Sequence, residues 1–404
     1  MVYRTTMSVK VVLVHLLIVS GVVARTPRGP LARHRDVVTT QGKARGYFAP
    51  RPPHYAYLGL PYARPPTHAR FKAPKPPPRW DGIFEATHRI KCPQPDGSGT
   101  EDCLVVNVFS PDQASGLPVL VLIHDGGFQR GWGLHKAPGR LLLLGVVVVT
   151  FNYRLGAPGF LCLQTAGIPG NAGLKDQVAA LYWVHRNIAK FGGNPHDVTL
   201  YGTGSGGVAV ELLLLSELTR NLVHKAIIES GAVLSPSSMS YDPFARAVAE
   251  AINLGYKGKG AGDVEIFYNK MSIKDLVLAS RFYPCVENNL LSNSLLDMDP
   301  LEILNHGIYQ HVPLLISYTD ADEISLVTEN LHNFNTTPHY FGHLLPTNLA
   351  FETEDMRHKI AALVKDFYFE EYELLESVVQ NYIDYINDIF MDYPITKSTT
   401  LHAA

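Results

Sequence analysis

Apolar residues in this chain gather into short β-branched and aromatic runs broken by Gly and Pro, with stretches of helical spacing between them. Tyr55 to Tyr62 reads as a strand ending in a Pro turn. Leu104 to Ser110 and Pro118 to His124 read as two more, and the second is apolar nearly throughout, the pattern of a strand covered on both faces. Leu141 to Val149 is split by Gly145 and reads as a helix end or turn leading into a buried strand, Val146 to Tyr153. Val178 to Phe191 places Leu181, Tyr182, Ile188 and Phe191 at helical spacing, and Gly192-Gly193 stops it. Val198 to Tyr201, Ala226 to Ile228 and Val312 to Tyr318 complete the strands. Ala73 to Pro78 is Pro-rich and predicts an extended surface crossing. After Pro236 the pattern is helical but less regular through Ser280, and Glu352 to Asp388 reads as two or more helices. Strands alternating with helices predict an α/β fold: a central, mostly parallel, doubly wound sheet with helices on both faces.

The first residues change the picture of compartment. Arg4 and Lys10 precede an apolar core from Val11 to Val23, and Val22-Val23-Ala24 supplies a small-residue cleavage site. That is the layout of a secretory signal, and the core is short for a bilayer span. The reading is therefore a signal peptide over 1–24, one domain over 25–404, a secreted extracellular product, and no membrane span after the signal. Four cysteines in such a chain point to disulfides. Cys92 and Cys103 bracket a short loop and are paired; Cys162 and Cys285 are far apart in sequence, and their pairing is left open on this reading. Asn335-Thr336-Thr337 is a glycosylation sequon. A net charge of −2 argues against nucleic acid as a partner. No motif calls for a metal or a cofactor.

The stretch with the most chemistry is Val198 to Gly207, a β-branched run that ends in a Gly-rich turn before the apolar Val208 to Leu215. Strand, tight turn and helix make the setting of a nucleophile elbow, in which G-x-S-x-G presents a strained Ser at the tip. Counted from Gly202, the Ser position holds Gly204, and Thr203 and Ser205 lie one place off on either side. A second turn follows the strand Pro118 to His124: His124-Asp125-Gly126-Gly127-Phe128, where consecutive glycines let backbone N–H groups face a ligand oxygen. Asp320, Asp322 and Glu323 follow the strand Val312 to Tyr318, at the strand end where parallel sheets place their sites.

Taken with Gly59-Leu60-Pro61-Tyr62-Ala63, Cys92-Pro93-Gln94, Glu101-Asp102-Cys103-Leu104, Asn152-Tyr153-Arg154-Leu155-Gly156, Gly170 to Gln177 and Phe191-Gly192-Gly193-Asn194-Pro195, these segments resemble the type-B carboxylesterase family, the cholinesterase-like branch of the α/β-hydrolases. The resemblance runs from about Gly42 to the last residue. It implies the α/β-hydrolase fold and a Cys92–Cys103 disulfide. It also implies that a nucleophilic Ser belongs where Gly204 stands, and that the N–H groups of Gly126, Gly127 and Ser205 hold an oxyanion. The acid falls on Asp322 without a gap, or on Glu323 with a one-residue insertion. Asp125 replaces a family glycine beside the oxyanion site, where an anion opposes developing negative charge. The family's His lies beyond the segment matching Tyr393 to Ala403, so the resemblance implies that the base and a last strand and helix have no counterpart here. His343 and His402 are taken as ordinary histidines.

Two functions follow from that resemblance. One is a non-catalytic extracellular binding or adhesion protein whose partner is another protein or a hydrophobic small molecule. The other is a carboxylic ester hydrolase using Ser205 in a shifted elbow, with a longer form supplying the His. Choline esters fit neither, because the Cys92–Cys103 loop contains no Trp for a cation–π contact.

Overall fold

The computed structural model describes residues 33–66, 69–135, 138–258, 260–279, 281–288, 293–319, 341–369 and 379–404. Asp322, Glu323, the Asn335 sequon and the segment 1–24 lie outside the described residues.

The organising element is a sheet in the strand order β1-β2-β3-β5-β7-β6-β8-β9-β10, with β4 beside β2. Its first half is antiparallel: β1 (His34–Val38), β2 (Lys43–Pro50), β3 (Pro53–Pro61), β5 (Val105–Pro111) and β7 (Val147–Phe151) run against their neighbours. Its second half is parallel: β6 (Leu117–Ile123) lies between β7 and β8 (Gly193–Thr203), and β9 (Lys225–Glu229) and β10 (Leu314–Ser317) follow outward. The short β4 (Ile83–Glu85) pairs parallel with β2. The sheet is thus mixed rather than mostly parallel. The reason is connection length: the turns joining β1, β2 and β3 are too short for a crossover, and a tight turn can only reverse the chain.

The predicted strands from Tyr55 onward are all present. The Pro-rich 73–78 stretch is extended, with one bridge pairing Arg64 and Lys75. The strands β1 and β2 carry no clear apolar run, because their outer faces are half exposed, and the sequence pattern did not show them.

Helices flank the sheet: α1 (Gly139–Leu142), α2 (Gly156–Phe160), α3 (Ala172–Asn187), α4 (Ser205–Leu215), α5 (Pro243–Asn253), α6 (Ala261–Lys270), α7 (Ile273–Leu278), α8 (Pro300–His306), α9 (Glu354–Phe369), α10 (Val379–Asn387) and α11 (Tyr393–His402). The helix expected from Val178 begins six residues earlier, at Ala172. Its first turns hide from a hydrophobic count because three successive buried residues there are polar. Lys175, Asp176 and Gln177 all lie inside the protein. Asp176 accepts from Arg154 Nη2 at 2.6 Å and Nε at 2.7 Å, and Lys175 Nζ meets Glu287 Oε2 at 2.5 Å. Buried charges persist only when paired in this way.

Both disulfides form: Cys92–Cys103, and Cys162–Cys285 across 123 residues. The second joins two cysteines whose pairing the sequence leaves open. Sequence separation is no barrier once Asn171 ties the loops together: its Nδ2 donates to Cys285 O at 2.7 Å, and its Oδ1 accepts from Cys285 N at 3.0 Å. Among the described residues no helix is long and apolar enough to cross a membrane.

The two faces of the parallel half differ. Val119, Val121 and Ile123 point into the main core, as do Val198 and Leu200. The alternate positions Leu120, Leu122, Tyr201 and Ile227 are only half-buried, and Leu315 on the last strand is 59% exposed.

Candidate functional site

The site is built where β8 hands over to α4. Gly204 sits at that corner with φ 53° and ψ −124°, a backbone region nearly closed to residues with a side chain. Gly206, in the first turn of α4, lets that helix seat on the end of β6: a Cβ there would lie 2.4 Å from Ile123 O. The nucleophile-elbow geometry is therefore intact, with glycine at its tip.

What stands over the tip is Asp125. A Cβ built on Gly204 would fall 2.6 Å from Asp125 Oδ1 and 2.8 Å from Oδ2. The carboxylate occupies the space a side chain at 204 would need. Its Oδ1 accepts from Ser205 N at 3.0 Å and from Ser205 Oγ at 2.9 Å. The physics favours this: the first N–H groups of a helix have no partners of their own and carry partial positive charge, so a carboxylate at that end is stabilised. Gly204 has no side chain to cap α4, and Asp125 caps it from another loop.

Of the three N–H groups that the resemblance assigns to an oxyanion, that of Ser205 is thus already bonded to a carboxylate. Gly126 and Gly127, at φ 131° and 60°, hold the turn that brings Asp125 over the elbow. Among the described residues no imidazole hydrogen-bonds to Ser205. His402 is elsewhere and occupied: its Nδ1 meets Tyr309 Oη at 2.9 Å and its Nε2 meets Glu211 Oε1 at 3.2 Å, joining α11 to α4 in the core. Nothing is described of the His343 side chain. Also among the described residues, no cluster of His, Cys, Asp and Glu could hold a metal.

Sequence reasoning placed Asp125 beside the site but not in it, and it missed His124. The His124 ring stacks on Tyr153 with centroids 4.4 Å apart, its Nδ1 meets Asp125 O at 2.9 Å, and its Nε2 is buried without a partner. Burial pulls its pKa down to about 4, against a smaller opposing effect of the Asp125 carbonyl and charge. The ring is neutral at physiological pH. Its linkage to stability has a definite sign. In the unfolded chain the ring takes a proton near pH 6.5, and in the fold only near pH 4, so the unfolded state binds more protons between the two. Its contribution is complete above pH 6.5 and is lost as the pH falls toward 4, by at most about 3 kcal/mol. Urea unfolding from pH 7 to 4 should show that loss in the wild type and a flatter profile in His124→Gln. Equal slopes would mean that His124 is not the group responsible.

Beside the elbow lies a cavity of about 440 Å³, walled by the β6–β8 strand ends and by the turn Arg130 to Gly133. That turn is pinned: Gln94 Nε2 donates to Gly131 O at 2.6 Å, Gly131 N donates to Gln94 Oε1 at 3.1 Å, and Gly133 N donates to Asn152 Oδ1 at 2.9 Å. The Cys92–Cys103 disulfide holds the loop that carries Gln94.

The profile of the carboxylesterase family matches residues 33–404. The chain belongs to the carboxylesterase family. It is similar to juvenile hormone esterase of Heliothis virescens, 32% identical over 382 residues, covering 85% of this chain and 66% of that protein. Para-nitrobenzyl esterase of Bacillus subtilis (strain 168) is 34% identical over 352 residues, covering 80% of this chain and 70% of its own. Among solved structures, juvenile hormone esterase from Manduca sexta, with OTFP covalently attached, superposes with a TM-score of 0.80 at 29% identity. That match covers 92% of this chain and 76% of the other. The chain thus spans about two thirds of the length of these curated carboxylesterases, and the α/β-hydrolase fold is shared.

Proposed function

We propose that this carboxylesterase-fold chain is a secreted binding protein that does not perform acyl transfer at its elbow. The observation that carries this reading is the Asp125 carboxylate over Gly204, bonded to both the N–H and the Oγ of Ser205. Acyl transfer needs a nucleophile at the tip, a base within hydrogen-bond reach, and donors left free for the developing oxyanion. Here the tip has no side chain. The nearest hydroxyl, Ser205 Oγ, gives its hydrogen bond to a carboxylate rather than to an imidazole. A negative charge already stands where the transition state would place one. The two disulfides suit an extracellular compartment.

The competing reading is a working hydrolase that uses Ser205. It draws on the same 2.9 Å Ser205–Asp125 hydrogen bond, with the carboxylate as the proton acceptor. Fluorophosphonate labelling of the folded, secreted protein followed by peptide mapping separates the two, because the probe reacts only with an activated Ser. The expected result is no labelled peptide and no hydrolysis of para-nitrophenyl esters above the uncatalysed rate. Labelling at Ser205 would overturn the binding-protein reading.

A further inference from the structure

We propose that the cavity beside the elbow is a binding site for an organic acid, a carboxylate carried on an apolar body. The proposal deepens the binding-protein reading and rests on it. A volume of about 440 Å³ falls in the range of small-molecule sites. The walls supply both halves of the ligand's chemistry. Leu122, Ile123 and Trp132 offer apolar and aromatic surface, and Lys91 and Arg130 offer two cations. Neither cation makes an ion pair among the described residues. Lys91 instead rests its Nζ 4.9 Å from the centre of the Trp132 ring, a weak contact that a ligand carboxylate can replace with a stronger one.

The remaining charge is Asp125, and its influence is offset. Its Oδ1 already accepts from two donors of Ser205 at the positive end of α4. His124 adds nothing, since burial keeps its ring neutral. The charged groups lining the cavity therefore sum to a small positive value, which favours an acid over its neutral ester and over an amine. The Gln94 clamp on the turn that carries Arg130 and Trp132 preforms the wall, so binding spends little on ordering it.

Titration calorimetry on the full secreted chain tests this with octanoate, methyl octanoate and octylamine. Octanoate is expected to bind at least about tenfold more tightly than either analogue, the difference one charge-assisted contact makes. Arg130→Gln and Lys91→Gln are each expected to weaken octanoate about tenfold, and Asp125→Asn to strengthen it. Both cations sit at the cavity surface, so neither substitution touches the core. Ester or amine binding as tight as the acid, or acid binding indifferent to both cation substitutions, overturns the proposal. Fluorophosphonate labelling of the same sample keeps the two readings apart. Labelled Ser205 with acid binding intact removes the binding-protein reading and leaves the ligand class standing. Absent labelling without acid preference removes the ligand class alone.

Discussion

Gly204→Ser, which places a hydroxyl at the tip of the elbow, is expected to give no esterase activity and a protein less stable by about 2–6 kcal/mol. Two costs add. The backbone at φ 53° and ψ −124° strains any residue with a Cβ, by about 1–3 kcal/mol. The new Cβ would also lie 2.6 to 2.8 Å from the Asp125 carboxylate, which must swing aside and surrender its hydrogen bonds to Ser205. Losing those bonds and uncapping α4 costs about 1–3 kcal/mol more. The second cost is shared between the two positions, and the first is not. Adding Asp125→Gly should therefore recover part of the loss, with a coupling of about 1–3 kcal/mol in a double-mutant cycle followed by urea denaturation. Additive effects would show that Asp125 and position 204 do not compete for the same space. Measurable ester turnover by the single variant would show that the carboxylate does not block the site.

A comparable loss belongs to the buried pair behind the site. Asp176→Ala should destabilise the fold by about 3–5 kcal/mol, because it strands the Arg154 guanidinium in the interior without its counter-charge. Arg154 is 4% exposed and Asp176 is fully buried, so water cannot take over. The carboxylate accepts from Arg154 N at 3.1 Å as well as from the guanidinium, and it ties the chain leaving β7 to the second turn of α3. The guanidinium also donates to Arg70 O at 2.7 Å and Ala172 O at 3.2 Å, and those two bonds remain when Asp176 is gone. Replacing both partners with apolar residues, Arg154→Met with Asp176→Leu, should cost much less than the single change, because no buried charge is left unpaired. Guanidinium denaturation of the three variants reads the comparison. A double variant as unstable as Asp176→Ala would mean that packing, not charge, is what the pair provides.

Much of the fold is legible in the chain alone, for reasons visible in particular segments. Val119, Val121 and Ile123 alternate with half-exposed neighbours but sit in a run apolar enough to mark a buried strand, and β6 is where the pattern places it. Thr203-Gly204-Ser205-Gly206 between an apolar strand and an apolar helix marks the elbow, and the corner forms there. The start of α3 escaped because Lys175 and Asp176 are buried as ion pairs and Gln177 is buried beside them despite its polar amide, which hydrophobic periodicity does not register. The acid candidates Asp322 and Glu323 lie outside the described residues.

The sequence by itself determined the fold class, the family and the absence of a hydroxyl side chain at position 204, because each depends on residue identity and local spacing. Only the tertiary structure decided what stands over that position. Asp125 and Ser205 are eighty residues apart, and nothing local to either predicts a 2.9 Å hydrogen bond between them. It follows from β6 and β8 lying side by side in parallel, with Ile123 opposite Gly202, so that the turns after both strands meet above the sheet. The Cys162–Cys285 bridge has the same origin: the fold brings two distant loops together around Asn171, and the bond records that meeting.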